Sequence, residues 1–176
     1  MSSIIDSLIT GFLSAICASA FFVFVMYSQR PKLVLSRKIA KTTFEGNTFY
    51  AIKVINTGRR DAISVSAELC LIQPHVVEGG IGYNVIEIAL LRKTLFHISP
   101  LRKVGDKFGA VFEFITNVDL EAEWNKYQNS YLLFRVYAQD SFSLFSRVFT
   151  SEFDSPEETI VAGRFAKGAR MHITSQ

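Results

Sequence analysis

Charge is missing from one long stretch: residues 8–27 contain no Asp, Glu, Lys or Arg, and no proline. That excludes an ordinary surface helix, because a helix apolar on every side needs a protein core or lipid around it. Cysteine is scarce. Cys17 lies in the apolar run and Cys70 in a strand-like segment, so they build no disulfide framework and read as buried free thiols, which suits a reducing compartment. The three histidines, His75, His97 and His172, are scattered without ligand spacing, and no metal site is expected. No glycine-rich loop between a strand and a helix could cradle phosphate, and no Ser or Cys has a recognisable nucleophile setting. The adjacent Glu157 and Glu158 read as a solvated turn. The expectation is a protein that is not an enzyme and takes no cofactor.

What is present begins with the run LITGFLSAICASAFFVFVMY at 8–27. Its length at about 1.5 Å per residue crosses a hydrocarbon core of roughly 30 Å. A signal peptide would have a basic start, a shorter apolar core and small residues at its far end. Here Asp6 precedes the run, and bulky Phe, Val, Met and Tyr close it, so a retained transmembrane anchor is expected. Lys and Arg flanking a span favour the cytoplasmic side. Arg30, Lys32, Arg37, Lys38 and Lys41 all follow the run, and the only charged side chain before Arg30 is Asp6. The expected arrangement is a single pass through the inner membrane, N-terminus outside and C-terminal domain cytoplasmic, with residues 1–29 as N-terminus and helix and 30–176 as the domain. Gly11, Ala15 and Ser19 fall on one helix face at four-residue spacing, which would let a second helix approach closely.

Beyond Pro31 the apolar period changes to two. Ile63, Val65, Ala67, Leu69 and Leu71 alternate with Ser64, Ser66 and Glu68, the pattern of a half-buried strand. Further strands are expected at 32–41, 49–55, 84–91, 95–98, 110–115, 131–138, 142–150 and 158–165. Asn56-Thr57-Gly58 supplies a turn signal. One helical turn is expected at 119–127, with Asp119 as cap and Leu120, Trp124 and Tyr127 on one face. Sixteen Phe against one Trp suit a Phe-rich β core. Short strands at this spacing predict a mostly β antiparallel sandwich after the helix.

The basic run could in principle meet nucleic acid. Its place directly after a membrane span makes anionic lipid the expected partner, at about 1 kcal/mol per basic residue near the surface. Arg30, Lys32, Arg37 and Lys38 are therefore the candidate lipid head-group residues, and no nucleic acid is expected.

From residue 27 to residue 165 the chain resembles the inward-rectifier potassium channels of prokaryotic type, in the end of the inner helix and the cytoplasmic domain. Arg30-Pro31-Lys32 and the strand at 33–39 are similar to the junction between pore helix and cytoplasmic domain. The segment 50–56, Arg59-Arg60 and 63–71 resemble the hairpin whose basic turn separates two core strands. Asp140-Ser141-Phe142-Ser143 and Ile160-Val161-Ala162-Gly163-Arg164-Phe165 resemble the closing strands, with Ala162 where the family has tryptophan. The resemblance implies an immunoglobulin-like β-sandwich, assembly as a homo-oligomer (a tetramer in the channels), and contact of Arg30 and Lys32 with anionic head groups. Only 29 residues precede Arg30, so the outer helix, pore helix and filter are expected to be absent. Gly80-Ile81-Gly82-Tyr83 looks like a filter fragment, but a filter needs backbone carbonyls held between membrane helices. It reads instead as a glycine-rich hairpin turn.

The function expected is that of a membrane-anchored, noncatalytic oligomer acting as scaffold, sensor or accessory subunit. The alternative is a single-span effector, of toxin or defence type, that oligomerises into a pore or disrupts the membrane. The absence of ionisable residues from the span leaves nothing obvious to line a wet channel. The sequence points to no particular protein partner.

Overall fold

The computed structural model describes residues 2–101 and 109–175, with side chains described from residue 5 onward. Helix α1 (Ser2–Ser28) covers the apolar run. Its 27 residues make it about 40 Å long at about 1.5 Å each. Within Ile5–Ser28 an 18-residue window reaches a mean hydropathy of 2.3 and is not buried by any described residue, and the helix is long and apolar enough to cross a membrane. The Thr10 and Ser28 hydroxyls donate to the carbonyls of Asp6 and Val25 on the helix itself, which spares two polar groups from apolar surroundings. The helix closes as Gln29 N donates to Met26 O and Arg30 N to Tyr27 O, and Pro31 cannot continue it.

Two sheets follow. In the first, β3 (Asn47–Asn56) is central. Along one edge run β1 (Leu33–Leu35) and β2 (Ile39–Phe44), and along the other β7 (Val111–Thr116), all antiparallel to it. In the second, β4 (Ala62–Val77) is central, with β5 (Gly80–Ile88) and β6 (Thr94–Ile98) on one edge and β8 (Tyr131–Asp140) on the other. Strand β9 (Ser146–Phe153) completes it beside β8. The inner faces pack as a β-sandwich. Tyr50, Ile52, Val54 and Phe114 meet Leu69, Leu71, Leu132 and Phe134 in one core, and the Phe114 and Phe134 rings lie 5.7 Å apart across the sheets. Mostly β architecture after an apolar helix is the fold class expected from the sequence.

Four details differ from expectation. The strand at 32–41 is broken: five steps from Leu35 to Ala40 face three from Val54 to Ala51, so the chain bulges at 36–38. There the buried Ser36 hydroxyl accepts from Lys53 N. The strand at 142–150 begins only at Ser146, because Asp140 winds residues 141–145 into a turn. The strand at 158–165 is instead α3 (Pro156–Thr159), capped by Ser155, then β10 (Ile160–Ala162) and β11 (Arg164–Phe165). Strand β10 runs parallel to β2, and β11 pairs with β12 (Ile173–Thr174). Finally, Gly80-Ile81-Gly82-Tyr83 lies within β5, while the hairpin turns one step earlier at Glu78-Gly79, where Gly79 takes φ +93°.

The helical turn is as expected. Helix α2 (Leu120–Asn125) starts at Asp119, whose Oδ1 accepts from Ala122 N and from Tyr50 Oη, both at 3.1 Å, and it buries Leu120 and Trp124. The backbone hydrogen bond from Ala122 holds the Asp119 carboxyl below its ordinary pKa. Its contribution is therefore present above the unfolded pKa and lost as pH falls through the depressed folded value. Asp119→Ala is expected to cost about 1 kcal/mol near neutrality and less at strongly acidic pH. Thermal unfolding of both chains across pH checks this, and a cost independent of pH would contradict it.

Candidate functional site

The chain leaves α1 through four residues and enters β1 at Leu33, with Pro31 buried. The Lys32 carbonyl accepts from Thr57 N at 2.9 Å and from Thr57 Oγ1 at 3.1 Å. This ties the segment below the helix to the loop after β3. That loop is organised by Asn56, which is fully buried. Its Nδ2 donates to the carbonyls of Arg60 (2.9 Å) and Ile98 (2.8 Å), and its Oδ1 accepts from Gly58 N at 2.9 Å. A Cβ at position 58 would stand 2.9 Å from that Oδ1 and 3.4 Å from Lys32 N, so glycine permits the close approach of the two segments.

The result is a polar cleft of about 360 Å³. Arg30 and Lys32 enter from the helix side, Arg59 and Arg60 from the loop, and no acidic residue lines it among the described residues. The Arg30 guanidinium carbon sits 3.1 Å from the Tyr27 ring centroid, and that of Arg60 sits 4.1 Å from the Phe142 ring centroid. Both cations are thereby oriented by an aromatic face. Arg30 Nε is buried and has no hydrogen-bond partner among the described residues. Four like charges around one cleft raise the local potential for anions well above that of scattered surface cations.

The four residues singled out in the sequence are thus divided. Arg30 and Lys32 share the cleft. Arg37 and Lys38 sit on the bulge between β1 and β2 and do not line it, and Lys38 Nζ donates to the Glu158 carbonyl. Arg59 and Arg60 lie outside the set that sequence reasoning assigns to the site. Their signal is available as a basic pair directly after a turn motif, but their place opposite Arg30 is set by the hydrogen bonds of Asn56 and Thr57. On α1, Ala15 and Ser19 line a shallow apolar groove with Phe12, Ile16 and Val23, while Gly11 lies outside its lining and has open space about it.

A buried cation elsewhere is structural. Lys53 is 1% exposed on the outer face of β3, and its Nζ donates to the carbonyls of Ala166 (2.6 Å) and Arg170 (3.0 Å). Burial pushes its pKa down, and the Glu113 carboxylate 4.0 Å away acts in the opposite sense. Glu113 is itself pushed up by burial, with Lys53 opposing. Lys53 fastens the C-terminal segment to the sheet. Among the described residues no group of three or more His, Cys, Asp or Glu side chains could hold a metal ion.

No protein-family model and no curated protein sequence matches the chain. Among solved structures, that of Spo0M, a sporulation control protein from Bacillus subtilis, is similar at TM-score 0.41 and 14% identity over 71% of this chain. The match covers 49% of Spo0M, so the chain spans about half the length of that protein. Likeness at that level carries no argument about function.

Proposed function

We propose that the chain is a membrane-anchored, noncatalytic protein whose soluble domain engages anionic lipid at the foot of its own transmembrane helix. It acts within a homo-oligomer as scaffold, sensor or accessory subunit. The observation that carries this reading is the cleft that gathers Arg30, Lys32, Arg59 and Arg60 next to Ser28, the last residue of α1. Cations placed there stand at the head-group level of any bilayer that α1 crosses, where anionic lipid is concentrated. On this reading the domain is cytoplasmic and immunoglobulin-like, related to its helix as the cytoplasmic domain is to the inner helix in inward-rectifier channels. The groove along Ala15 and Ser19 supports self-association by close helix packing. A scaffold or sensor is preferred to a pore because α1 carries no charged side chain along 8–27 to line a wet path.

Native mass spectrometry of the full chain, released from detergent in the presence of phosphatidylglycerol or phosphatidylcholine, reads copy number and bound lipid together. An oligomer retaining phosphatidylglycerol in preference to phosphatidylcholine is expected. A monomer that retains both lipids equally would sink the proposal.

A further inference from the structure

The turn between β8 and β9 exposes Phe142 (63%), Leu144 (60%) and Phe145 (38%) around three serines, and no charged side chain lies between Ser141 and Ser146. A cluster of large apolar side chains at a loop tip is unfavourable in water and marks a contact surface. Its backbone is unusual for a surface turn. All five N–H groups from Ser141 to Phe145 have acceptors inside the protein. Ser141 N donates to Asp61 O, Phe142 N and Ser143 N to the Asp140 carboxylate, Leu144 N to Asp140 O, and Phe145 N to Ser143 Oγ. The Leu144 carbonyl accepts from Gln139 Nε2 and the Phe145 carbonyl from Asp140 N. The Ser143 hydroxyl donates to Asp140 as well. Leu144 is held at φ +58°, a conformation that costs a side-chain-bearing residue energy and turns this leucine outward at the tip.

A turn with its donors satisfied internally needs little water, which is the condition for entering the apolar margin of a bilayer. Its position fits that use. Phe142 packs under the Arg60 guanidinium, Arg60 lines the cleft that begins at Ser28, and Ser141 is bonded to Asp61 in the same loop. The apolar tip therefore stands one side chain away from the basic cleft and the end of α1. Basic residues beside exposed Phe and Leu are the composition of an interfacial membrane contact, in which cations meet head groups and apolar side chains reach the acyl boundary.

We infer that the 141–145 turn is a second membrane contact, inserting Phe142, Leu144 and Phe145 into the lipid interface beside the helix. The inference rests on the proposed function in requiring α1 to span the bilayer, but not on occupancy of the basic cleft. Full-length chain carrying Phe142→Trp, and separately Leu144→Trp, would be placed in nanodiscs of phosphatidylcholine alone or mixed with phosphatidylglycerol. The emission added by each new tryptophan would be read against acyl-brominated lipid and against aqueous iodide. The native Trp124, buried on α2, supplies the background in the parent chain.

Severalfold loss of the added emission to brominated lipid, with little loss to iodide, is expected for both variants. Loss in both lipid mixtures supports insertion independent of the cleft, and loss only with phosphatidylglycerol supports insertion assisted by it. Quenching of both variants by iodide and not by brominated lipid would overturn the inference and leave the tip as a surface for a protein. If phosphatidylglycerol were still retained in the mass spectrum, that failure would belong to the turn alone.

Discussion

Glutamine at Arg30, Lys32, Arg59 and Arg60 together is expected to weaken phosphatidylglycerol binding by roughly 700-fold at low salt. Each basic residue at a bilayer surface contributes about 1 kcal/mol, and about 1.4 kcal/mol is a tenfold change in affinity. The effect should shrink as salt rises, because charges in solvent are screened over about 8 Å at physiological ionic strength. Arg37→Gln with Lys38→Gln is the matched control: it removes two cations that follow the same helix but do not line the cleft. Titration of each full-length variant with dioctanoyl phosphatidylglycerol in detergent, followed by thermal stability, measures the affinities. If the control pair lost as much per charge as the cleft residues, general surface charge would explain the binding and the cleft would not.

The second large effect is expected at Gly163. This residue is buried at φ +131°, where its N–H donates to the Lys41 carbonyl and its own carbonyl accepts from Thr42 Oγ1. A Cβ there would lie 2.2 Å from the Thr174 carbonyl oxygen and 2.9 Å from its carbon. Both are backbone atoms of β12, which is paired to β11, so neither can move aside without opening that pair. Gly163→Ala should therefore detach the C-terminal segment, exposing Phe165 and taking the Ala166 and Arg170 carbonyls away from Lys53.

A cost of about 3 kcal/mol is expected from strain and lost packing, which corresponds to a fall in Tm of roughly 6–12 °C for a chain of this size. The pH dependence should change as well. The folded state holds Lys53 below its ordinary pKa, so it binds fewer protons than the unfolded chain, and stability rises with pH between the two values. With Lys53 exposed, that rise should vanish. Thermal melts of the full chain in detergent across the alkaline range test both points, and a Tm within about 2 °C of the parent would contradict them.

The parts of this fold legible in the sequence are those governed by local pattern. The charge gap at 8–27 gives α1, the alternation from Ile63 to Leu71 gives β4, and Asp119 ahead of Leu120 and Trp124 gives α2. What stays hidden depends on register or on side chains reaching the backbone. Residues 32–41 have strand composition throughout, and only their pairing with β3 shows that Arg37 and Lys38 are looped out. Phe142 looks like a strand residue until the Asp140 carboxylate is seen bonded to its backbone N–H. Ser155-Pro156 is a helix-start signal that the apolar residues at 160–162 obscure. The cleft illustrates the same limit. Linear proximity groups Arg30 with Arg37 and Lys38 on the bulge rather than with Arg59 and Arg60. The grouping that matters is made by Asn56, Thr57 and Gly58 folding back onto Lys32.

The passage from helix to sandwich has a mechanical consequence. Four residues separate Ser28 from Leu33; one is a buried proline, and the last is bonded through its carbonyl to Thr57. A junction so short leaves few soft torsions to absorb movement. Helices respond to changes in bilayer thickness by tilting, and a tilt of α1 would be carried into the two sheets as a turn of the whole domain. In a bilayer that α1 crosses, the helix would act as a lever and the domain as its pointer.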